Sequence, residues 1–322
     1  MSIETPVGLT YFWGVKLMNM SDDTSRRKWI KQSTFAMMGL PVLFKNAYIL
    51  PANDKVTTMK HYLCTTCGVQ YEASEQTPEL CPVCEDDRQY VNPGGQSWTT
   101  LEQVQKTHKN IIELVAPDLY AIYSTPDFAI AQRAHLLITP GGNILWDCIA
   151  NLDASTINII QQLGGIKAIA LSHPHYFSTI VEWSHAFGNI LVYVHQLDAQ
   201  WLQRRDDVIK LWSGNELLLW DGIKLVLCGG HFPGANVLYS PAGKGKLLVG
   251  DVIQVSSDRK TVSVMYSYPN NIPLSAREIN TLHAAIKPLA YDAMYGAFGK
   301  YIKTGAQAAV DFSLERYLQR IK

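Results

Sequence analysis

Residues 167–175 of the chain are Lys-Ala-Ile-Ala-Leu-Ser-His-Pro-His, a short apolar run that ends in two histidines. The apolar run is typical of a buried strand. Histidines at alternating positions after a strand can direct two imidazole rings at one point, and a metal site needs that arrangement. The stretch therefore predicts a strand that delivers His173 and His175 to a metal ion.

Short apolar runs separated by turns lie on both sides of this stretch, from about Asp118 onward. Such runs are typical of strands in packed sheets, and Pro140-Gly141-Gly142 predicts a hairpin turn between two of them. The segments that predict strands are 120–123, 134–138, 143–147, 167–171 and 190–194. The segments that predict helices are 155–163, 275–286 and 307–321.

Four features at predicted strand ends follow one another in a set order. An aspartate ends an early strand, the histidine pair follows a later one, a third histidine opens the segment His-Phe-Pro-Gly, and a second aspartate ends the strand Leu-Val-Gly-Asp. The residues concerned are Asp147, His173, His175, His231 and Asp251. In this order and in these contexts, they resemble the landmarks of the metallo-β-lactamase fold superfamily.

The resemblance covers residues 118–322 and implies an α+β (α/β) fold. It implies a four-layer αββα sandwich, in which two sheets pack face to face and helices cover their outer faces. We expect this domain to occupy residues 110–322, with a metal held by loops at one edge of the paired sheets.

The resemblance also implies a role for each landmark. His173, His175 and His231 would bind the first metal ion, and Asp251 would coordinate at the rim or bridge two ions. Asp147 would orient the histidine loop, because partners in the outer shell fix the ligands of most metal sites. The expected metal is zinc, with iron as the alternative.

Two departures from the family motif concern the second metal ion. The motif continues as H-x-H-x-D-H, but Phe177 and Ser178 occupy its last two positions here. A phenyl ring neither binds a metal nor accepts a proton. The family also has a late histidine, and residues 294–299 contain none. We therefore expect a mononuclear centre rather than a two-metal hydrolytic site.

Three further side chains are candidates for the chemistry. Because the usual aspartate is missing, either Asp251 or metal-bound hydroxide has to act as the base. Tyr176, next to His175, is a candidate donor of a hydrogen bond to a substrate oxyanion. His195, at the end of the predicted strand 190–194, is either a metal or proton-transfer residue or a structural histidine.

Two C-x-x-C pairs precede this domain, Cys64-Thr65-Thr66-Cys67-Gly68 and Cys81-Pro82-Val83-Cys84. Each pair forms a tight turn with two thiolates on one side, and two such turns build a tetrahedral site for zinc or a single iron. The frame is similar to zinc ribbons and to rubredoxin-like modules, so a structural zinc site and an electron-transfer iron site are both open. Two disulfides are the third alternative. We expect the module to span residues 60–95 and to end at the linker Asn-Pro-Gly-Gly of residues 92–95.

The N-terminal extension, residues 1–52, contains Ser25-Arg26-Arg27-Lys28-Trp29-Ile30-Lys31 followed by an apolar run over 33–44. The basic segment resembles the twin-arginine export signal, and the run is too short to span a bilayer. We expect export to the periplasm with removal of the leader. The alternative is a basic amphipathic helix docked on the fold of a cytoplasmic protein.

Composition narrows the function classes. Among 322 residues, hydrophobic residues make up 47% and charged residues 17%, so a sizeable core can form and disorder is excluded. Lys plus Arg equals Asp plus Glu at 28 each, so no excess positive charge is available for phosphates. We expect a small-molecule substrate and neither a nucleic-acid partner nor an integral membrane segment. The sequence leaves the oligomeric state open.

These observations favour a metal-dependent hydrolase that cleaves a small ester, lactone or thioester. Two other hypotheses remain. One is an iron-dependent oxidoreductase that receives electrons through a rubredoxin-like module. The other is a non-catalytic descendant that keeps the fold to bind a metal or a metabolite.

Overall fold

The structure is a computed structural model that describes residues 58–321, and all of these belong to one compact unit. The predicted twin-arginine signal and the rest of the extension 1–52 lie outside the described residues. The helices of the described residues are too short or too polar to span a bilayer.

The four-cysteine module begins the described chain as a small three-stranded sheet. Strand β1 lies in the centre and pairs antiparallel with both neighbours. The third strand follows the linker at residues 92–95. The elements of the module are β1 (Lys60–Cys64), β2 (Gln70–Ser74), the one-turn helix α1 (Pro82–Glu85) and β3 (Trp98–Thr100).

A seven-stranded sheet follows, with one helix before its first strand and two helices in its connections. The first strands form an antiparallel meander, and the later ones run parallel to one another. Its strands, in spatial order from one edge to the other, are β4 (Lys109–Ala116), β5 (Leu119–Thr125), β6 (Ala134–Leu137), β7 (Ile144–Trp146), β8 (Ala168–Ala170), β9 (Leu191–His195) and β10 (Ile209–Trp212). The helices are α2 (Leu101–Thr107), α3 (Ala154–Gln162) and α4 (Ile180–Ala186).

A six-stranded sheet forms the second half of the sandwich. All its neighbours pair antiparallel except β14 and β19, which are parallel. Its strands, in spatial order, are β11 (Glu216–Leu218), β12 (Lys224–Leu227), β13 (Asn236–Ser240), β14 (Lys246–Gly250), β19 (Ala293–Gly296) and β20 (Tyr301–Ile302). Two small hairpins lie between β14 and β19 in the chain: β15 (Gln254–Val255) with β16 (Val262–Ser263), and β17 (Met265–Ser267) with β18 (Ile272–Pro273).

Two C-terminal helices pack on the six-stranded sheet, α5 (Ala276–Ile286) and α6 (Ala306–Arg320). Helix α5 begins at a capping box, in which the Ser275 hydroxyl accepts from the Glu278 backbone N–H and the Glu278 carboxylate accepts in return. The sequence-predicted helices at 155–163, 275–286 and 307–321 are confirmed within a residue or two at their ends.

Alternation along the strands builds the core between the two sheets. In β7, Ile144 and Trp146 point to the inter-sheet core, whereas Leu145 points to the outer layer. The facing sheet contributes apolar side chains from its central strands. Buried residues of this inter-sheet core include Trp146, Ala170, Leu225, Leu238 and Leu248. Each fully buried large side chain of this kind stabilises the fold by about 1.5–3 kcal/mol. The expected four-layer αββα sandwich is confirmed.

The four-cysteine module packs directly against the sandwich. The Ser178 hydroxyl donates a hydrogen bond to the Gly68 backbone carbonyl over 2.8 Å. A second contact lies at Arg204, whose Nη1 is 2.6 Å from the Gln70 Oε1 atom and 2.6 Å from the Glu182 Oε1 atom. Because Gln70 belongs to the module and Glu182 to α4, this network joins the two parts through a charge-assisted contact.

Candidate metal centres

Four side chains that come from separate loops meet at one edge of the paired sheets. His173 and His175 follow β8, His231 lies between β12 and β13, and Asp251 directly follows β14. One ligand atom from each lies within 4.8 Å of all the others, and all four residues are buried. The structure therefore brings together the full set of landmark ligands that the sequence predicted for this centre.

The ends of two parallel strands position the histidine loop. In the pairing of β7 with β8, Trp146 lies opposite Ala170, so the residues that follow both strands share one edge. The Asp147 Oδ1 atom accepts from the Ser172 backbone N–H over 2.7 Å. Asp147 adopts a left-handed backbone (φ 64°), which is costly for a residue with a side chain and is often found at functional sites. The predicted role of Asp147 in orienting the loop agrees with this contact.

A glycine allows the strands to approach each other at this edge. Gly250, the last residue of β14, has φ 54°. A Cβ atom on Gly250 would lie 2.5 Å from the Ser172 hydroxyl oxygen and 3.0 Å from the Asp147 Oδ2 atom. The close approach of β14 to the histidine loop therefore requires glycine here, and this approach places Asp251 beside the histidines.

Hydrogen bonds to the second ring nitrogen orient two of the imidazoles. The His231 Nδ1 atom donates to the Tyr266 carbonyl over 2.8 Å, which leaves the lone pair on Nε2 pointing toward the cluster. The His173 Nδ1 atom lies 2.8 Å from the Ser172 hydroxyl. Partners of this kind fix both the tautomer and the ring orientation of metal ligands.

The positions of the ligand atoms suit coordination of a shared cation better than hydrogen bonds between the side chains. The His173 Nε2 and Asp251 Oδ1 atoms are 2.7 Å apart, but they are not aligned as donor and acceptor, and neither has a hydrogen-bond partner within residues 58–321. The His231 Nε2 and His175 Nδ1 atoms are 3.4 Å apart. Unsatisfied buried polar atoms are costly, and a shared metal ion would satisfy these. The donor set of three imidazoles and one carboxylate fits zinc or iron.

Electrostatics keep most of this donor set in the form that binds a metal. Burial lowers the pKa of His231 to about 4 and also lowers the pKa of His175. Burial would raise the pKa of Asp251, but the neighbouring His173 and His231 outweigh it and hold that pKa below its usual range. Burial would lower the pKa of His173, but the adjacent Asp251 carboxylate raises it. His175 and His231 are therefore neutral at pH 7, and Asp251 is ionised.

The four cysteines form the other cluster among the described residues, and all four are buried. The Sγ atoms of Cys64 and Cys84 are 3.5 Å apart, and those of Cys67 and Cys81 are 3.6 Å apart. A disulfide needs about 2.05 Å, so the two-disulfide alternative is wrong for this structure, in which these cysteines are free. Tetrahedral coordination with bonds of about 2.3 Å places neighbouring sulfurs about 3.8 Å apart, so the cluster fits a tetrathiolate metal site.

Sequence similarity to a known protein shows the family of this chain. No protein-family model matches the chain. The uncharacterized protein YmaE of Bacillus subtilis (strain 168) is 46% identical over 268 residues, which cover 82% of this chain and 97% of YmaE. The chain belongs to the YmaE family.

Solved structures resemble this YmaE-family chain in fold. A crystal structure of VMB-1 at pH 5.5 has a TM-score of 0.51 at 15% identity and covers 66% of this chain and 99% of VMB-1. A crystal structure of DIM-1 metallo-β-lactamase exposed to ceftazidime has a TM-score of 0.49 at 18% identity and covers 65% of this chain and 98% of DIM-1. The likeness to VMB-1 shows the fold alone. Together with the two-sheet topology, it confirms the metallo-β-lactamase fold expected from the landmarks.

In this YmaE-family chain, the two positions that depart from the family motif are structural. Phe177 is 3% exposed and packs in the hydrophobic core. Ser178 donates its hydrogen bond to Gly68 of the four-cysteine module. Phe177 therefore serves packing, and Ser178 serves the contact with the module.

Of the two remaining candidate residues, Tyr176 lies near the histidine–aspartate centre and His195 lies outside it. The Tyr176 ring lies 5.3 Å from the His173 ring, and its buried hydroxyl has no hydrogen-bond partner in the described part of the chain. The His195 Nε2 atom instead donates to the Gly214 carbonyl over 3.2 Å, and its ring packs on Trp212 at 4.4 Å. His195 is therefore a structural histidine, and Tyr176 stays a candidate for substrate contact.

Several residues that support the centre were not predicted from the sequence. The Asn236 side chain donates to the Ser172 carbonyl over 3.0 Å and so ties the His231 loop to the histidine pair. The Asp198 carboxylate accepts from the Gly234 backbone N–H over 2.8 Å. Arg88 lies over the ring of Phe232 at 4.4 Å. No local pattern marks these residues, because each contact joins segments that are distant in the chain.

Proposed function

We propose that the chain is a metal-dependent hydrolase that cleaves a small ester, lactone or thioester at a mononuclear centre formed by His173, His175, His231 and Asp251. The observation that carries the proposal is the convergence of three imidazoles and one carboxylate. Among the described residues, the His173 Nε2, His175 Nε2 and Asp251 Oδ1 atoms have no hydrogen-bond partner. When bound, a zinc or iron ion would polarise the substrate carbonyl and lower the pKa of an attacking water.

The assignment of a single metal ion follows from the positions where a second would need ligands. Phe177 is part of the core, and the Ser178 hydroxyl donates to Gly68. Residues 294–299 contain no histidine. Two ligand clusters of three or more His, Cys, Asp or Glu side chains occur among the described residues, and one of them is the cysteine set.

The protein residues then have separate tasks. Asp251 would be one of the residues that hold the ion, and its carboxylate would accept the proton of the attacking water; the ionised form needed for both is favoured by its lowered pKa. Burial keeps the Tyr176 hydroxyl protonated by raising its pKa. Tyr176 would therefore donate a hydrogen bond to the developing substrate oxyanion, a contact that is worth most in a water-excluded site.

The surroundings of the centre favour a small substrate. His173, His175 and His231 are each at most 2% exposed, and Asp251 is 5% exposed. A buried centre suits a small acyl compound better than a polymer. The even balance of charged residues supports the same preference, because it offers no general attraction for nucleic acid.

A panel of activated esters, lactones and thioesters tests this proposal with the metal-loaded full chain. We expect turnover of at least one class and a loss of roughly 100-fold or more in kcat/KM for His231→Ala, since the ligand set is then incomplete. His185→Gln is the matched control, because His185 lies in α4 outside the cluster. Equal turnover by wild type and His231→Ala would refute the assignment.

A redox function is the second candidate, and the cysteine cluster favours it. The tetrathiolate geometry fits iron as well as zinc, and the Gln96 side chain donates to the Cys64 sulfur over 3.1 Å. An ultraviolet-visible spectrum of anaerobically purified protein separates the two functions. An oxidised iron tetrathiolate is coloured, and a zinc tetrathiolate is colourless. Colour that is bleached by a reductant would favour an iron-dependent oxidoreductase.

A further inference from the structure

Arg88 connects the four-cysteine module to the sandwich through an aromatic cluster. Its guanidinium carbon lies 4.4 Å from the ring centre of Phe232, 4.7 Å from that of Tyr266 and 5.4 Å from that of Trp201. Its Nη1 atom also lies 2.9 and 2.8 Å from the two carboxylate oxygens of Asp86. A guanidinium within about 6 Å of aromatic ring centres is attracted by their π faces.

Phe232 is in turn packed against all three histidine ligands. Its ring centre is 5.6 Å from that of His173, 5.0 Å from that of His175 and 5.1 Å from that of His231. The ring is stacked on His173 and edge-on to the other two. A shift of this one ring would therefore disturb the packing of every imidazole in the centre.

Tyr266 acts on the same centre through its backbone. Its carbonyl accepts the hydrogen bond from the His231 Nδ1 atom, which fixes the tautomer of that ligand. Arg88 thus lies behind two residues, Phe232 and Tyr266, that orient the ligands, and it does not itself reach the ligand atoms.

Two segments hold Arg88 in place: the four-cysteine module to which it belongs, and the hairpin formed by β17 and β18. Arg88 follows Cys84, a member of the cysteine cluster, in the chain. On both sides of Arg88, the backbone carbonyls of Asp87 and Gln89 accept from the Asn270 side chain over 2.8 and 2.9 Å. Asn270 lies between β17 and β18 in the chain, close to Tyr266 in sequence.

From this chain of contacts we propose that Arg88 is a positioning residue through which metal binding at the cysteine cluster strengthens metal binding at the histidine–aspartate centre. The inference rests on the proposed function, because it assumes that the second centre holds a metal ion. Binding coupled in this way is reciprocal, so an ion at the histidine centre also strengthens binding at the cysteines.

Cobalt titration of the full-length metal-free protein tests the proposal, with a competing chelator to set the affinity. The thiolate-to-cobalt charge-transfer band reports the cysteine cluster, and the weaker d–d bands report the histidine–aspartate centre. For Arg88→Met, which keeps an apolar side chain of similar length, we expect the cysteine band to remain and the affinity at the second centre to fall about 10-fold or more, as for other outer-shell partners. Arg88→Lys, which keeps the charge, restores part of that affinity.

Arg204→Met is the matched control. Arg204 also joins the module to the sandwich, through Gln70 and Glu182, and its contacts involve none of the three rings. We expect wild-type affinity at the second centre in this variant. Wild-type affinity in Arg88→Met would overturn the proposal, and so would an equal loss in both variants.

Asn270→Ala is the second test, for the case in which Arg88→Met also loses the cysteine band. This change removes the two hydrogen bonds on either side of Arg88 without substituting a residue of the module, so weaker binding at the second centre would support the proposal and unchanged binding would overturn it. A wild-type protein that takes up cobalt at the cysteines alone would instead refute the proposed function, and the coupling with it.

Discussion

Ser178 donates a hydrogen bond to the backbone carbonyl of Gly68 over 2.8 Å, at the motif position where related metal sites have a histidine. Gly68 directly follows Cys67, so this bond lies beside the cysteine cluster. Ser178 therefore joins the sandwich to the four-cysteine module beside the cysteine cluster. A hydroxyl engaged in this way agrees with the proposed mononuclear centre.

Removal of this attachment should loosen the module without affecting the histidine ligands. For Ser178→Ala, we expect a loss of about 1–3 kcal/mol in the free energy of unfolding, because the buried Gly68 carbonyl loses its partner. We also expect faster release of metal from the cysteines to a chelator. Ser184→Ala is the control, because the Ser184 hydroxyl also donates to a backbone carbonyl, that of Ile190, away from the module. If Ser184→Ala accelerated metal release equally, Ser178 would have no special role in docking.

The close approach at Gly250 gives a second prediction. Gly250→Ala would combine a left-handed backbone with overlap against Ser172, so we expect a loss of about 1–3 kcal/mol from the backbone alone and a further loss from the overlap. Metal affinity at the histidine–aspartate centre should fall as well.

Gly243→Ala separates these two effects. Gly243 has φ 66°, and a Cβ atom there would meet nothing within 4 Å among the described atoms. This variant should lose stability from backbone strain and keep wild-type metal affinity. Chemical denaturation and metal competition measure the two quantities, and a Gly250→Ala protein no worse than Gly243→Ala in both would contradict the packing described for this edge.

Stability should depend on pH through His135. Burial, together with the nearby Arg133, lowers the pKa of His135 to about 3. In the unfolded chain the His135 imidazole binds a proton near pH 6.5, whereas in the folded chain it stays neutral until about pH 3. The stability that neutral His135 contributes is therefore fully present above pH 6.5 and is lost as the pH falls toward 3. The expected slope from this group is about 1.4 kcal/mol per pH unit.

Denaturation curves between pH 4 and 8 check this slope. In His135→Phe, the contribution of this group should vanish and the curve should be flatter by about 1.4 kcal/mol per pH unit below pH 6.5. A His135→Phe curve as steep as wild type would show that His135 is not the group responsible.

The twin-arginine segment gives a prediction about localisation. If residues 25–31 direct export, then Arg26→Lys combined with Arg27→Lys should keep the protein in the cytoplasm of a host that has this pathway. Lys45→Arg is the matched basic change outside the segment and should leave export intact. Cell fractionation and the length of the mature chain decide the point, and a full-length cytoplasmic wild-type protein would contradict the export hypothesis.

Spacing along the chain was enough to predict the cysteine cluster and the pair His173 and His175. Two C-x-x-C pairs constrain four thiols locally. His173 and His175 are close in the chain after β8, and the structure holds His175 in a short 3-10 helix, Pro174–Tyr176, instead of the alternating extended segment that the sequence suggested. His231 and Asp251 lie far along the chain, so their inclusion depended on the resemblance to the metallo-β-lactamase fold. The strands at 120–123, 134–138 and 143–147 are confirmed as β5, β6 and β7.

The sequence did not predict β4 or the Arg88 contacts, and the reasons differ. Strand β4 is an edge strand whose apolar residues are partly exposed, with Ile111 at 40% and Leu114 at 59%, so its hydrophobic signal is weak. Arg88 is a charged residue in a loop, and its aromatic partners lie more than a hundred residues away. Such contacts follow from how the folded segments pack, and no local pattern contains them.

Elemental analysis of the purified full chain shows directly whether both clusters bind metal. We expect two metal ions per wild-type chain, one on the cysteines and one on the histidine–aspartate centre, and a single ion in His231→Ala. One ion in both proteins would contradict this expectation, because the histidine–aspartate cluster would then hold no metal.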